Sequence, residues 1–245
     1  MHRLLLFVAL LGITQAQAAE PTRIAVAANL LPVMEQIAKD YQQQTGAQVQ
    51  LAGGSSGAFF EQIQRGAPFD LFYSADAERP DKLAAAGAGE ASRTYACGRL
   101  VLWVPQAAPK LDALPAGKIA IAQPDTAPYG KAALQTLERS GQLDALKPRL
   151  VYAQDIGQAF QFVTTGHAPS GFVALSQLTA AKTPAAQYAQ VDTKLYDPLV
   201  QKRVLLAKGE RQAAAEAFLR FFDAQHATLK AAGYALPGEV DCAAD

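Results

Sequence analysis

Short runs of apolar residues alternate along the chain with segments whose apolar residues recur at helical spacing. The runs at 23–27 and 49–51 have the character of strands, and the apolar positions within 30–41 predict a helix. Pro32 in the first turn of that helix and Gly46 beyond its end are typical start and stop signals. Strands that alternate with amphipathic helices indicate an α/β architecture with largely parallel sheets.

The same pattern predicts further elements along the chain. A second helix is expected to begin near Gly57 and to stop at 66–68, ahead of a strand at 70–73. Later strands are expected at 99–104, 118–122, 150–153, 171–175 and 203–206. Later helices are expected from about residue 130, near 158–164, at 210–224 and at 227–232.

The length and composition allow two medium-sized cores. The chain has 245 residues, half of them apolar. Because the late strand at 203–206 is expected to return to the first unit, the chain would cross twice between two lobes. We expect a discontinuous lobe I at 20–101 and 203–245, with lobe II inserted at 102–202. A cleft between two lobes is a favoured place for a ligand.

The N-terminus has the pattern of a secretory signal peptide over residues 1–19. A short basic start precedes the apolar stretch 4–13, and a processing site rich in small residues follows at 16–19. We expect cleavage near Ala18 or Ala19 and a soluble, exported mature protein. Direct membrane insertion is not expected, since no other stretch is long and apolar enough to span a bilayer.

The charges balance, with 22 basic and 22 acidic residues. The basic residues are dispersed along the chain, which disfavours nucleic acid as a partner because its phosphate backbone would call for a basic stripe or patch. A bound anion would therefore be held by dipoles and not by net charge.

Small polar residues stand at two strand-to-helix junctions. Asn29 follows the first strand, and Ser55 and Ser56 follow the second, so both helices are expected to start at hydrogen-bonding caps. A helix N-terminus exposes unpaired N–H groups and about half a positive charge. Two such termini at one cleft would bind a small oxyanion without Lys or Arg. Alternatively, these residues are ordinary caps that contribute about 1 kcal/mol each to stability.

Two cysteines, Cys97 and Cys242, lie far apart in the sequence. Export favours a disulfide between them, and two free, partly buried thiols are the alternative. A cationic metal site is not expected, because the chain has no CxxC pair and only His167 and His226 would survive removal of the signal peptide.

One pattern raises an enzymatic alternative. Residues 53–57 (GGSSG) match Gly-Xaa-Ser-Xaa-Gly, the nucleophile elbow of α/β-hydrolases, with Ser55 as the nucleophile. Such an enzyme also needs a histidine base and an acidic partner. Neither His167 nor His226 lies in a recognisable catalytic loop, so we favour a protein that is not an enzyme.

Several segments resemble the periplasmic molybdate-binding (ModA) family of ABC importers, and together they span essentially the whole mature chain. The most specific is the pair 64–72 (QRGAPFDLF) and 74–76 (SAD). The others are 25–29 (AVAAN), 53–57 (GGSSG), 123–130 (QPDTAPYG), 154–157 (QDIG) and 168–173 (APSGFV). The resemblance implies the two-lobed type II periplasmic binding fold, a monomer, an inner-membrane permease as partner, and no cofactor.

The resemblance also implies the ligand and its contacts. The family binds molybdate or tungstate as a tetrahedral dianion through neutral donors, and its motifs carry that role to Asn29, Ser56, Tyr129 and Ile156 in this sequence. Ala28 and Ser55 are weaker candidates for further donors. Many members have Ser at the position of Asn29, Ala at that of Tyr129 and a ligand-binding Tyr at that of Ala174.

A receptor for another oxyanion, such as sulfate, remains the alternative within the same fold. Sulfate is also a tetrahedral dianion that neutral donors can hold. Molybdate and tungstate are larger than sulfate and nearly identical to each other, so the volume of the site would reject sulfate but hardly separate the other two.

Overall fold

The computed structural model describes residues 20–90, 92–239 and 242, so the expected signal peptide lies outside the described residues. Ten strands form two five-stranded sheets within this part of the chain. The strands are β1 (Thr22–Ala27), β2 (Val49–Gly54), β3 (Leu71–Tyr73), β4 (Arg93–Gly98), β5 (Leu100–Trp103), β6 (Ile119–Ala122), β7 (Leu150–Ala153), β8 (Ser170–Ala174), β9 (Tyr188–Gln190) and β10 (Leu199–Leu205).

Helices pack against both sheets. They are α1 (Leu31–Thr45), α2 (Ser56–Gln64), α3 (Glu78–Ala85), α4 (Pro128–Arg139), α5 (Leu143–Leu146), α6 (Ile156–Thr164), α7 (Leu175–Ala180), α8 (Gln212–Asp223) and α9 (His226–Ala231). No helix in the described ranges is long and apolar enough to cross a bilayer.

The two sheets are mixed, which corrects the expectation of largely parallel sheets. The first has the order β2-β1-β3-β10-β4, and the second has the order β7-β6-β8-β5-β9. In each sheet the strands that alternate with helices run parallel, whereas β10 and β5 run antiparallel to their neighbours. The antiparallel strands are those that follow each crossing between the sheets.

The crossings lie slightly earlier than the expected lobe boundaries. The chain leaves the first sheet at Gly98 and enters the second at Leu100, and it returns between Gln190 and Leu199. The boundaries expected at 101/102 and 202/203 fall within β5 and β10. We therefore propose lobe boundaries at these two crossings.

Each sheet carries its own apolar core. Residues of α1 and α8 cover the first sheet, where Met34, Ile37, Phe218 and Phe222 are buried. In the second sheet, β6 and β8 are buried on both faces, as expected for central parallel strands.

The disulfide expected between Cys97 and Cys242 is present, with the Cα atoms 5.4 Å apart. Cys97 lies at the end of β4, one residue before the first crossing. The bond therefore ties the C-terminal segment to the strand that leads into the second sheet.

Candidate anion-binding site

The carboxyl ends of parallel strands from both sheets face one small cavity. Residues that line the cavity come directly after the strands β1 and β2 of the first sheet and after β6 and β7 of the second. This is the position at which open α/β sheets bind ligands. Twelve residues line the cavity, and they include all six candidates from the sequence, namely Ala28, Asn29, Ser55, Ser56, Tyr129 and Ile156.

The start of α2 presents a serine hydroxyl and a free amide to the cavity. The side chain of Ser55 accepts from the N–H of Ala58, so Ser55 is the N-cap as expected. Ser56 is buried, and its hydroxyl accepts from the N–H of Ala75 at 2.9 Å. Because a hydroxyl both accepts and donates, the proton of Ser56 stays available for a ligand.

The second sheet contributes the starts of α4 and α6. Pro128 occupies the first position of α4 and has no N–H, so Tyr129 supplies the first amide of that helix. Asp155 caps α6 by accepting from the N–H of Gln158 at 2.9 Å, and Ile156 is its first helical residue. Amides at these positions have no partner within their own helix, and Tyr129 and Ile156 are buried.

Asn29 is not the cap of α1, so that expectation is wrong. The N-cap is Leu30, without a side-chain hydrogen bond. Asn29 is fully buried, and its Nδ2 donates to Oε1 of Gln201 at 3.0 Å and to the hydroxyl of Tyr234 at 2.9 Å. These partners lie 172 and 205 residues away in the sequence, so local pattern could not indicate them.

The weaker candidates differ from one another. The backbone N–H of Ala28 donates to the carbonyl of Gly54 at 2.9 Å, so it is not available to a ligand and that candidate donor is ruled out. Ser55 lines the cavity and serves as a cap. Ala174 is fully buried at the end of β8 and does not line the cavity.

The electrostatics of the cavity suit an anion even though no Lys or Arg lines it. The N-termini of α2, α4 and α6 converge there, and each carries about half a positive charge, so roughly 1.5 positive charges face the cavity. Asp155 is the acidic residue in the lining, and its carboxylate is engaged in capping α6.

The cavity is small. About 10 Å³ can be reached by the centre of a water-sized sphere, which is the space of about one such sphere. Organic ligands usually occupy roughly 300–1,000 Å³. A groove of about 470 Å³ lies beside Gly98 and Arg99, but no α-helix among the described elements begins there. We therefore assign the ligand to the small cavity, because three helix termini converge on it and its size excludes organic ligands.

Contacts between the two sheets' elements close the cavity. The N–H of Gly57 donates to the carbonyl of Thr126 at 2.8 Å. The hydroxyl of Ser176 donates to the backbone carbonyl of Asn29 at 2.8 Å. Arg79, which pairs with Asp76, also reaches the carbonyl of Asp125 at 3.1 Å. The structure therefore has the closed arrangement of its lobes.

A buried network of polar side chains surrounds the side chain of Asn29. Its central residue, Gln201, was not identified from the sequence. The Nε2 of Gln201 donates to the hydroxyl of Tyr129 at 3.1 Å, and its Oε1 accepts from the hydroxyl of Tyr95 at 2.7 Å. Burial raises the pKa of Tyr95, Tyr129 and Tyr234, so their hydroxyls remain protonated at neutral pH. A polar residue at a core-facing position of the strand β10 was the available signal.

The hydrolase alternative gains no support from the geometry. The hydroxyl of Ser55 acts as the cap of α2, and no hydrogen bond in the described residues joins it to a histidine. His167 stacks on Phe162, with ring centroids 5.6 Å apart. Likewise, no group of three or more metal-ligating side chains is found among the described residues.

Comparison with known proteins decides the family. The sequence profile of the bacterial extracellular solute-binding proteins matches residues 22–235. The chain is 42% identical over 232 residues to the molybdate-binding protein ModA of Azotobacter vinelandii, covering 90% of this chain and 92% of that one. The chain belongs to the ModA family. It is also 40% identical to ModA of Rhodobacter capsulatus, with 86% of each chain covered.

Solved structures agree with this assignment. The periplasmic molybdate-binding protein of Azotobacter vinelandii superposes with a TM-score of 0.83 and 37% identity, covering 88% of this chain and 99% of that one. The sulfate-binding protein SubI of Mycobacterium tuberculosis has a TM-score of 0.67 at 14% identity, covering 90% of this chain and 88% of that one, and so shares the fold alone. The type II periplasmic binding fold expected from the sequence is confirmed.

Proposed function

We propose that this protein captures molybdate, or tungstate, as a tetrahedral dianion and delivers it to an ABC importer. It would do so as a periplasmic monomer, after cleavage of the signal peptide near Ala18 or Ala19. The name of the Azotobacter relative, at 42% identity, supports the choice of ligand. The observation that carries the proposal is the convergence of three helix N-termini on a small cavity whose lining residues include no Lys or Arg.

Each proposed contact is a neutral donor. Ser56 would donate through its hydroxyl and its N–H, while Tyr129 and Ile156 would donate through their N–H groups from the other side of the cavity. Asn29 would complete the set through its side chain. Hydrogen bonds to a charged group contribute about 1.5–3 kcal/mol each, so such a set can hold a dianion without a counter-ion.

Capture would proceed by closure of the two lobes. The donors of α2 belong to the first sheet, and those of α4 and α6 belong to the second, so the anion contacts both only when the lobes are closed. A ligand shifts an open–closed equilibrium by its better contacts in one state. The permease would then distinguish loaded from empty protein by the closed form.

Isothermal titration of the mature protein, freed of endogenous ligand, tests the proposal. Molybdate, tungstate, sulfate and phosphate would each be titrated separately. We expect one-to-one binding of molybdate and tungstate and little heat from the other two. Tight sulfate binding with silence toward molybdate would establish the alternative receptor, and silence toward all four would remove the oxyanion function.

A further inference from the structure

Asn29 carries a buried atom with no partner. Its Oδ1 is inaccessible to solvent and makes no hydrogen bond, while its Nδ2 is directed to Gln201 and Tyr234. Other unpartnered side-chain atoms are found on Tyr73, Trp103 and Ser170, but those residues do not line the cavity. Among the residues that line the cavity, the unpartnered side-chain atom is thus a hydrogen-bond acceptor, and an acceptor directed at a bound oxyanion would repel it.

The surrounding network has a second pairing in which Oδ1 of Asn29 gains partners and Nδ2 is left for a ligand. If the side-chain amides of Asn29 and Gln201 both rotate by 180°, the oxygen and the nitrogen of each amide exchange positions. The Nε2 of Gln201 then donates to Oδ1 of Asn29 across the same 3.0 Å, and the hydroxyl of Tyr234 donates to that Oδ1 across the same 2.9 Å.

The tyrosine hydroxyls complete this second arrangement by rotating their protons. Tyr95 accepts from Gln201 across 2.7 Å and donates to the carbonyl of Ser74 at 3.1 Å. Tyr129 donates to Oε1 of Gln201 across 3.1 Å. The backbone carbonyl of Asn29 loses the hydroxyl of Tyr234 at 3.0 Å but keeps that of Ser176 at 2.8 Å. The Nδ2 of Asn29 gives up Gln201 and Tyr234 and becomes free to donate to a ligand in the cavity.

We propose that a bound dianion selects this second arrangement, and that Gln201 is the positioning residue that makes it possible. This inference rests on the proposed capture of an oxyanion. A buried carboxamide is suited to the task because it can donate to Asn29 and accept from Tyr129 at once, whereas a carboxylate can only accept. Gln201 is fully buried, so no water competes for these bonds.

The orientation of Asn29 also determines the class of anion that the cavity accepts. With Nδ2 facing inward, Asn29, Ser56, Tyr129 and Ile156 all donate, so a fully deprotonated oxyanion such as molybdate is favoured. Hydrogen phosphate keeps a proton at neutral pH and needs an acceptor. Oδ1 facing inward would supply that acceptor, so phosphate would favour the arrangement of the structure and molybdate the second one, and a residue 201 that can only accept would favour phosphate.

The sequence allows a direct test, because Asn29 is the only asparagine in the chain. Protein labelled with ¹⁵N on the asparagine side chain gives a single pair of side-chain amide protons in a ¹H–¹⁵N spectrum. In the arrangement of the structure, these protons show nuclear Overhauser effects to the ring of Tyr234. We expect saturating molybdate to abolish these effects and to slow exchange of the amide protons with water. Effects to Tyr234 that persist in the saturated complex would overturn the inference.

Substitution of Gln201 gives a second readout. We expect Gln201→Glu at pH 8 to weaken molybdate binding by roughly 10- to 150-fold, the equivalent of one hydrogen bond to a charged group. Phosphate binding should weaken less, so the preference for molybdate over phosphate should fall. Gln201→Met, which keeps the volume but neither donates nor accepts, should give a smaller loss with no gain in relative phosphate binding.

A double-mutant cycle separates this role from charge and from folding. In an Asn29→Ala background no side-chain amide remains at position 29 to be oriented. Gln201→Glu should therefore weaken molybdate binding several-fold less in that background than in the wild type. An equal loss of molybdate affinity in both backgrounds would overturn the positioning role. Wild-type protein that fails to bind molybdate at all would instead refute the proposed function, so the two failures are distinguishable.

Discussion

Replacement of Gly57 by alanine should block closure of the lobes while leaving each lobe intact. A Cβ on Gly57 would lie 2.9 Å from both the Cα and the carbonyl oxygen of Thr126, where ordinary contacts are 3.4–4 Å. Gly57 lies in α2 of the first lobe, and Thr126 precedes α4 of the second. Because both opposing atoms belong to backbone, they cannot rotate away, and the lobes must separate.

The loss of binding free energy in Gly57→Ala follows from these contacts. Separation removes the hydrogen bond from Gly57 to Thr126, worth about 0.5–1.5 kcal/mol, and the overpacking itself costs about 1–3 kcal/mol. A loss of about 1.5–4.5 kcal/mol corresponds to roughly 10- to 2,000-fold weaker molybdate binding. The unliganded protein should unfold at the same or a higher temperature, because alanine is a better helix former than glycine by about 1 kcal/mol.

Gly157→Ala provides the matched control. Gly157 is the second residue of α6, as Gly57 is of α2, but its Cβ would meet the side chain of Asp155 at 3.0 Å and the methyl of Ala28 at 3.4 Å. The carboxylate can move by a few tenths of an ångström, so binding should change by no more than about threefold. Titration calorimetry and thermal unfolding of both variants measure the difference. Wild-type affinity in Gly57→Ala would refute closure as the basis of tight binding.

Three further outcomes follow from the structure. Ser56→Ala should weaken molybdate binding by roughly 10-fold or more in titration calorimetry, since it removes a donor and leaves the N–H of Ala75 unpaired; undiminished affinity would exclude Ser56 from the site. Loss of the disulfide in Cys97→Ala/Cys242→Ala should destabilise the protein by about 2–5 kcal/mol in denaturant unfolding, with molybdate affinity within a few-fold of wild type; an unchanged midpoint would show that the tail is held by other contacts. Stability should fall as the pH rises above about 10, because four buried tyrosines have raised pKa values and stay protonated when folded, whereas the unfolded chain ionises them. The four residues are Tyr73, Tyr95, Tyr129 and Tyr234. Tyrosinate absorbance should therefore appear only when the protein unfolds, and tyrosinate in the folded protein near pH 10 would contradict this prediction.

The sequence predicted those parts of the fold that depend on local pattern. The strands β6 and β7, the start of α2 at Ser56 and the cap Ser55 match their expected places within one or two residues. Short elements such as α7 and β9 were not predicted, because three to six residues carry too little periodicity. The helix α4 begins at Pro128, two residues before its expected start, since proline fits a first helical turn.

The candidate site was predictable only in part, for a physical reason. A cap such as Ser55 bonds a residue three positions away, so its role is visible in the sequence. Asn29 bonds groups far along the chain, and Gln201 interacts with Tyr95 and Tyr129 across 106 and 72 residues. Such contacts exist only after both sheets have formed, so the sequence can mark Gln201 as a polar residue at a core-facing strand position but not as a partner of Asn29.

Crystals of the protein with tungstate would test the central claim most directly, because tungsten scatters anomalously and marks its own position. We expect one strong anomalous peak, enclosed by Ser56, Tyr129, Ile156 and Asn29, with the oxyanion within hydrogen-bond distance of the first amides of α2, α4 and α6. A single peak elsewhere, such as in the groove beside Gly98 and Arg99, would contradict the assignment of the site.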